Sequence, residues 1–180
     1  IEADLVLAIP RGGLPSGRKV ADALEAPLDV VVARKIGFPG SPELAIGAVA
    51  SNGSHWLNEE MIQRDHIDHD FVNKRIEEEA ENAREKLDFI REGKESPEIK
   101  GKKLVVVDDG IATGATMIAC LRQLRDLGAK EITVAVPVGP KESKQILQNE
   151  ADNIVVLETP SFFDSVSSYY SDFRQLTYAE

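Results

Sequence analysis

The strongest constraint on the fold is a set of five short apolar runs, rich in β-branched residues, that alternate with helical patterns. Such nearly continuous runs are typical of strands that are covered on both faces, as in parallel sheets. Together with the helical segments they predict βαβ crossovers and an α/β fold with a parallel-sheet core flanked by helices. The runs are Leu5 to Pro10, Leu28 to Arg34, Lys103 to Asp109, Glu131 to Val138 and Asn153 to Glu158, and the helical patterns are Leu14 to Leu24, Gly114 to Leu127 and Lys141 to Asn149.

Two segments interrupt this alternation. Residues 35–60 place glycines and prolines around a predicted strand at Leu44 to Ala50, which indicates a long excursion with mobile parts. A charged helix follows at about residues 67–91, and its apolar positions form one narrow stripe. That stripe fits a solvated helix lying against the core or a dimer-forming helix. Because no repeat or linker is evident, residues 1–180 are predicted to form a single domain.

Net charge, apolar content and cysteine content limit the ligands and the location that we expect for this protein. The formal net charge of -10 argues against nucleic-acid or anionic-membrane partners, so small molecules are the expected ligands. No stretch approaches the roughly 18 apolar residues of a membrane span, and the single cysteine, Cys120, lies in a helical pattern typical of a buried thiol. We therefore expect a soluble protein of the reducing cytoplasm. The chain opens at Ile1 and enters strand-like sequence at once, so native residues are expected to precede it.

The run "VVVDDGIATGAT", Val105 to Thr116, carries the main functional signal. In α/β proteins the loop that follows a parallel strand at its carboxyl end binds ligands. Small residues let backbone N–H groups approach an anion, and the N-terminus of the next helix adds partial positive charge. A P-loop, however, would need a lysine where Ala115 stands. The loop thus predicts a phosphate site of another kind.

Two adjacent aspartates at the start of this loop refine the prediction. Asp108 and Asp109 would repel a phosphate placed directly beside them. They make sense if they accept hydrogen bonds from sugar hydroxyls or interact with a metal complex, while the loop beyond holds the phosphate. That combination describes a phosphorylated ribose. An ordinary strand-turn-helix with solvated aspartates is the alternative.

The whole run resembles the signature of type I phosphoribosyltransferases: an apolar strand, two acidic residues, three small or apolar residues, then Thr-Gly-x-Thr. The resemblance implies the corresponding fold with a mobile lid at about residues 35–60. It also implies that Asp108 and Asp109 bind the ribose 2′ and 3′ hydroxyls of phosphoribosyl pyrophosphate (PRPP). Mg²⁺ is the implied cofactor, held mostly through PRPP and water, with the two aspartates contributing indirectly. The implied 5′-phosphate residues are Ala112, Thr113, Gly114, Ala115 and Thr116.

Basic residues supply a candidate pyrophosphate site. In "IPRGGLPSG", Arg11 offers a fork of donors, and Gly12 and Gly13 expose backbone N–H groups. The segment resembles the family's pyrophosphate loop, where an unusual backbone bond before the glycine is common, although Arg11 taken alone fits a surface arginine equally well. Arg34 and Lys35 are expected at the carboxyl end of the second strand, ahead of the lid, where they would neutralise the leaving pyrophosphate.

The acceptor is expected to meet the C-terminal region, about residues 158–180, where six aromatic side chains gather. Aromatic faces stack on planar rings, so Phe162 or Phe163 is a candidate for base stacking, with core or interface packing as the alternative. Hypoxanthine and guanine enzymes of the family carry an aspartate where this chain has Ala112, which makes a 6-oxopurine a less expected acceptor. For the other rings core or interface packing is favoured: Tyr169, Tyr170, Phe173 and Tyr178.

These observations lead to one expected function and two alternatives. We expect transfer of 5-phosphoribose from PRPP to a nitrogenous acceptor, with a nucleobase as the expected case, and release of pyrophosphate. A module that senses PRPP or a nucleotide without catalysis is one alternative, and hydrolysis of PRPP or a nucleotide is the other. A homodimer is a further possibility that the resemblance raises.

Overall fold

The fold was analysed in a computed structural model, which describes residues 1–174 and 176–177. The strands are β1 (Leu5–Ala8), β2 (Leu28–Val30), β3 (Ala33–Phe38), β4 (Ser41–Ala50), β5 (His55–Leu57), β6 (Lys103–Val107), β7 (Glu131–Val138) and β8 (Asn153–Glu158). The helices are α1 (Leu14–Leu24), α2 (Glu59–Arg64), α3 (His69–Arg91), α4 (Ala115–Asp126) and α5 (Ser143–Leu147), with a short 3-10 helix at Val166–Tyr169.

The elements form two compact units. The first contains Ile1–Val31, Ser96–Gly114 and Leu127–Glu180, and the second contains Val32–Glu95 and Ala115–Asp126. A five-stranded sheet in the order β2-β1-β6-β7-β8 makes the first unit, and every neighbouring pair in it is parallel. Helix α1 packs on this sheet through Ala21, which lies in one apolar cluster with Val6 and Val105. The predicted α/β fold with a parallel sheet is confirmed.

The second unit is an antiparallel sheet in the order β3-β4-β5 with a helix on each face. On one face Ile36 and Val49 pack with Val72 and Ala80 of α3. On the other face Ala48 and Ala50 of β4 pack with Ala115 and Ala119 of α4. Because adjacent residues of a strand point to opposite faces, β4 contributes side chains to both clusters.

One sequence expectation is wrong in this region. The run from Leu28 to Arg34 is not one strand: β2 ends at Val30 and β3 begins at Ala33 in the other sheet. Val31 and Val32 are apolar and buried, so hydrophobicity alone does not mark the break. Most of residues 35–60 belong to the β3-β4-β5 sheet, and the predicted strand at Leu44 to Ala50 lies within β4. A continuous exposed stretch lies at the tip, residues 39–44, which suits the predicted lid, and the mobility of that lid stays a prediction.

The charged helix and the cysteine behave as expected. Helix α3 spans His69–Arg91 and packs its buried Val72, Ala80 and Ala83 inward, while its use as a dimer surface stays a prediction. Cys120 is fully buried, which confirms the structural thiol. Within residues 1–174 and 176–177, no helix combines the length and apolarity needed to cross a bilayer.

Candidate functional site

The two predicted ligand loops of the first unit lie side by side. Strands β1 and β6 pair in parallel with Ala8 opposite Val107, so the loops that follow them leave the same edge of the sheet. The Ile9 N–H extends this pairing by donating to the Val107 carbonyl at 2.9 Å. The carboxyl edge of a parallel sheet is where α/β proteins bind ligands. The structure therefore brings the Arg11 loop and the acidic loop together.

Close approach of the backbone at Gly12 and Gly13 makes the contact between these loops. A β-carbon on Gly12 would lie 2.7 Å from Cγ of Asp109, and one on Gly13 would lie 2.7 Å from the carbonyl oxygens of both Ile9 and Val107. Both distances are too short for a β-carbon unless the neighbouring atoms move. The Pro10–Arg11 peptide is cis, in agreement with the unusual bond that the resemblance implies. Glycine is thus required for the Asp109 carboxylate to reach the Arg11 loop.

The two aspartates differ in environment. The Asp109 N–H donates to Oδ1 of Asp108 at 2.8 Å, so one carboxylate is fixed by the backbone of the next residue. Burial raises the pKa of the Asp109 carboxyl above its ordinary value, although hydrogen bonds, including one from the backbone of Gly110, act in the opposite direction. A partly desolvated carboxylate is a strong acceptor for ligand hydroxyls.

The C-terminal segment covers this edge of the first unit. The Tyr170 hydroxyl donates to the backbone carbonyl of Asp109, and its pKa is raised by burial and by the negative charge of Asp109. Val166 packs so tightly on Gly110 that a β-carbon there would lie 2.7 Å from its methyl groups. Arg11 Nη1 donates to the Leu176 carbonyl at 2.8 Å. Sequence reasoning missed these three contacts, since residues so distant along the chain share no local pattern.

The predicted phosphate loop presents different groups along its length. Ala112 and Thr113 are exposed, whereas Gly114 is buried with φ of 83°, a left-handed conformation that favours glycine. Ala115 begins α4 and its methyl group is buried among the alanines on the sheet of the second unit, so only its backbone is placed to meet a phosphate. Thr116 is half-buried in the first turn of α4. These positions agree with an anion-binding helix N-terminus.

The two cations expected near the pyrophosphate are placed differently from the prediction. Arg34 and Lys35 do not end a parallel strand; they lie in β3, an edge strand of the antiparallel sheet. Arg34 Nε donates to Oε2 of Glu79 at 3.1 Å. In the part of the chain that the structure describes, the Lys35 ammonium has no hydrogen-bond or ion-pair partner, and it is exposed. The sequence did not reveal the role of Glu79.

The candidate acceptor rings lie in the same C-terminal segment. Phe163 stacks on Tyr169 with ring centroids 5.6 Å apart and an interplanar angle of 11°. Phe162 is 83% exposed, and Tyr170 contacts Phe173 at 5.4 Å. One face of the Phe163 ring is therefore already covered by Tyr169. Tyr178 lies outside the described residues.

Comparison with known proteins identifies the family of this chain. The family model "Phosphoribosyl transferase domain" matches residues 1–174. A Mycobacterium tuberculosis protein from strains CDC 1551 and H37Rv, provisionally named a phosphoribosyl transferase, is 38% identical over 174 residues, which are 97% of this chain and 39% of that protein. This chain thus spans 39% of the length of those curated relatives. A crystal structure from Thermus thermophilus is similar with a TM-score of 0.81 and 36% identity, covering 99% of this chain and 85% of that one. On this evidence, the chain belongs to the phosphoribosyltransferase family.

Proposed function

We propose that this chain transfers 5-phosphoribose from PRPP to a nitrogen of a planar acceptor and releases pyrophosphate. The observation that carries the proposal is the contact between the Asp109 carboxylate and the backbone of Gly12, which joins a sugar-binding pair to a cationic loop. A substrate that carries ribose hydroxyls beside a pyrophosphate matches this arrangement of hydrogen-bond acceptors and donors. Family membership supports the same substrate class.

Each part of PRPP has a candidate partner. Asp108 and Asp109 accept hydrogen bonds from the ribose hydroxyls, because the pair is half-buried at the edge of the sheet. The 5′-phosphate lies against the exposed backbone at Ala112 and Thr113 and the first turn of α4, where partial positive charge favours an anion. The pyrophosphate is met by Arg11. When pyrophosphate binds, Arg11 gives up its hydrogen bond to the Leu176 carbonyl and donates to a pyrophosphate oxygen instead. Because both partners are charged, this second bond is the stronger one.

The transfer needs no protein nucleophile. An acceptor nitrogen forms a bond to C1 of the ribose while the bond from C1 to the pyrophosphate oxygen breaks, and the electron pair of that bond leaves with pyrophosphate. The proton on the acceptor nitrogen passes to solvent. Positive charge develops on the ribose, and the carboxylates of Asp108 and Asp109 stabilise it.

The side chains are suited to a magnesium ion that is held mainly by the substrate. Among residues 1–174 and 176–177, no three His, Cys, Asp or Glu side chains are grouped to hold a metal. Two neighbouring carboxylates, Asp108 and Asp109, nevertheless present oxygen ligands, and Mg²⁺ keeps its waters and binds through phosphates. When bound, the ion would neutralise charge on the leaving pyrophosphate. The aspartates would contact it chiefly through PRPP and water.

The remaining proposals concern the acceptor, the lid, the cellular location and the assembly. We assign base stacking to the face of the Phe163 ring opposite Tyr169, because Tyr169 already supports the other face. The exposed Ala112 supplies no acid for a purine proton, which favours acceptors other than 6-oxopurines. The tip at residues 39–44 is the proposed lid segment. We place the activity in the cytoplasm, with a homodimer as the proposed assembly.

The test is titration of the protein with PRPP and Mg²⁺, followed by a panel of nucleobases with pyrophosphate release monitored. Base-dependent release supports transfer and identifies the acceptor. Release without base indicates hydrolysis, and binding without release indicates a PRPP sensor. The double variant Asp108→Asn/Asp109→Asn should remain folded and lose PRPP binding, whereas Asp88→Asn, on an exposed position of α3, should bind as the wild type does. Unchanged PRPP affinity in the folded double variant would end the proposal.

A further inference from the structure

The C-terminal segment lies over the ligand edge of the first unit in two pieces that are held differently. The first, which we call the anchored piece, is residues 166–170. Val166 packs on Gly110, and the Tyr170 hydroxyl donates to the Asp109 carbonyl. Both contacts are made to the acidic loop, within the first unit. The anchored piece is therefore part of the wall of the candidate sugar site.

The second piece, which we call the strap, comprises residues 171–174 and 176–177. None of these described residues belongs to a helix or strand, and all but Leu176 are exposed. Phe173 contacts the Tyr170 ring with centroids 5.4 Å apart, and the Leu176 carbonyl accepts from Nη1 of Arg11 at 2.8 Å. Segments with little buried apolar surface and no regular structure open at a small cost in free energy. The strap can thus leave its place while the anchored piece stays.

The strap contacts the cation to which we assign the pyrophosphate. Arg11 lies beside Gly12, whose backbone approaches the Asp109 carboxylate. A guanidinium binds a phosphate group most strongly through two parallel N–H groups, and the Leu176 carbonyl already accepts from one nitrogen of that fork. The carbonyl is a neutral acceptor, so a charged phosphate oxygen forms the stronger bond. Pyrophosphate and the strap therefore compete for Arg11.

We propose that the strap is an autoinhibitory contact: the pyrophosphate group of PRPP displaces the Leu176 carbonyl from Arg11 and releases the strap. This inference rests on the proposed function, in which Arg11 meets pyrophosphate. The coupling is reciprocal, so the strap weakens pyrophosphate binding by the same factor by which bound pyrophosphate weakens the strap contact. When the strap returns to Arg11, it favours dissociation of the product pyrophosphate.

A fluorescent dye on the strap measures its release. The chain has a single cysteine, Cys120, which is fully buried, so a thiol-reactive dye labels an introduced cysteine. Thr177→Cys places the dye at the exposed end of the strap, and Asp164→Cys, an exposed position ahead of the anchored piece, is the matched control. Pyrophosphate with Mg²⁺ should lower the fluorescence anisotropy of the dye at position 177 and leave that at position 164 unchanged. Ribose 5-phosphate should change neither.

Loss of the Arg11 guanidinium should release the strap before any ligand is added. In the Thr177→Cys protein, Arg11→Met should give the low anisotropy from the start and abolish the response to pyrophosphate. Arg18→Met is the matched control, because the Arg18 guanidinium pairs with Asp22 on an exposed part of α1. Its anisotropy should equal that of the parent protein.

Phe173→Ala loosens the strap and retains Arg11. The pyrophosphate dissociation constant, measured by calorimetric titration with Mg²⁺, should fall about threefold, because the contact that pyrophosphate must break is weaker. The ribose 5-phosphate dissociation constant should stay within about twofold of wild type, since Tyr170 keeps its bond to Asp109.

The outcomes that overturn the inference differ from those that overturn the proposed function. An unchanged or raised pyrophosphate dissociation constant in Phe173→Ala refutes autoinhibition, and a raised one means that the strap orients Arg11 for its ligand. Constant anisotropy at position 177 while pyrophosphate binds also refutes it. If the wild-type chain binds neither PRPP nor pyrophosphate, the proposed function and the release by pyrophosphate fail together, and Arg11→Met still decides whether Arg11 holds the strap.

Discussion

Substitution of Gly12 by alanine should damage the site and leave the fold intact. The new β-carbon would lie 2.7 Å from Cγ of Asp109 and 3.4 Å from its Cβ, so the carboxyl group must move. Asp109 has a side chain that can rotate, and the backbone at Gly12 is not in a left-handed conformation that excludes alanine. The strain is therefore relieved by displacing the very carboxylate that is proposed to bind the ribose.

The expected magnitude follows from the lost hydrogen bond. A bond to a charged group contributes about 1.5–3 kcal/mol, so the PRPP dissociation constant should rise by about 10-fold to 150-fold. Gly13→Ala is the matched control. Its β-carbon would meet only backbone, with Asp108 Cα at 3.0 Å and two carbonyl oxygens at 2.7 Å, and none of these can rotate aside. Overpacking of that kind should lower the free energy of unfolding by about 1–3 kcal/mol.

The assay is calorimetric titration with PRPP and Mg²⁺ for both variants, with urea unfolding of the same samples. Gly12→Ala should show the binding defect at a nearly unchanged urea midpoint, and Gly13→Ala should show the lowered midpoint. Wild-type PRPP affinity in a folded Gly12→Ala protein would refute the reasoning, because it would mean that the Asp109 carboxylate can leave its place without consequence.

Three further changes test the same edge of the sheet. Asp109→Asn should raise the free energy of unfolding at neutral pH while weakening PRPP binding, because it removes a partly buried carboxylate. Since burial raises the pKa of Asp109, the folded state holds its proton more tightly than the unfolded state. The stability gain of the variant should therefore appear as pH rises through the raised pKa and vanish below the ordinary range of aspartate in urea titrations, and a gain that persists there would contradict this assignment. Tyr170→Phe removes the bond to the Asp109 carbonyl and should weaken PRPP binding several-fold, with ribose 5-phosphate affinity reduced in parallel; equal affinities in both proteins would assign Tyr170 to packing alone. Arg11→Met should weaken pyrophosphate binding more than ribose 5-phosphate binding, and an equal loss of both would exclude Arg11 as the pyrophosphate residue.

Local sequence predicted the parallel sheet because its strands are buried on both faces. Continuous β-branched runs at β1, β6, β7 and β8 have no other simple explanation, and the glycines and prolines between them mark the connections. The criterion of continuous apolar runs did not reveal that one strand ends and another begins between β2 and β3. Val31 and Val32 continue the apolar run and are themselves buried, so hydrophobicity persists across a point where the chain leaves one sheet for another.

The acidic pair and its loop were also predictable, since both belong to one strand-loop-helix unit. Their adjacency along the chain places Asp108, Asp109 and the phosphate loop at one edge without any long-range information. Contacts such as that of Tyr170 with Asp109, or of Arg34 with Glu79, join residues 61 and 45 positions apart. No periodicity encodes such pairs.

By itself the sequence therefore determined the α/β class and the place of the acidic pair and its following loop at one edge of the parallel sheet, because these depend on short-range patterns of burial and loop chemistry. Only the tertiary structure decided that Gly12 faces the Asp109 carboxylate, that the C-terminal segment covers this edge, and that Arg34 and Lys35 face opposite ways. The physical reason is that strand pairing and helix packing set which side chains meet, and both depend on residues remote in the chain.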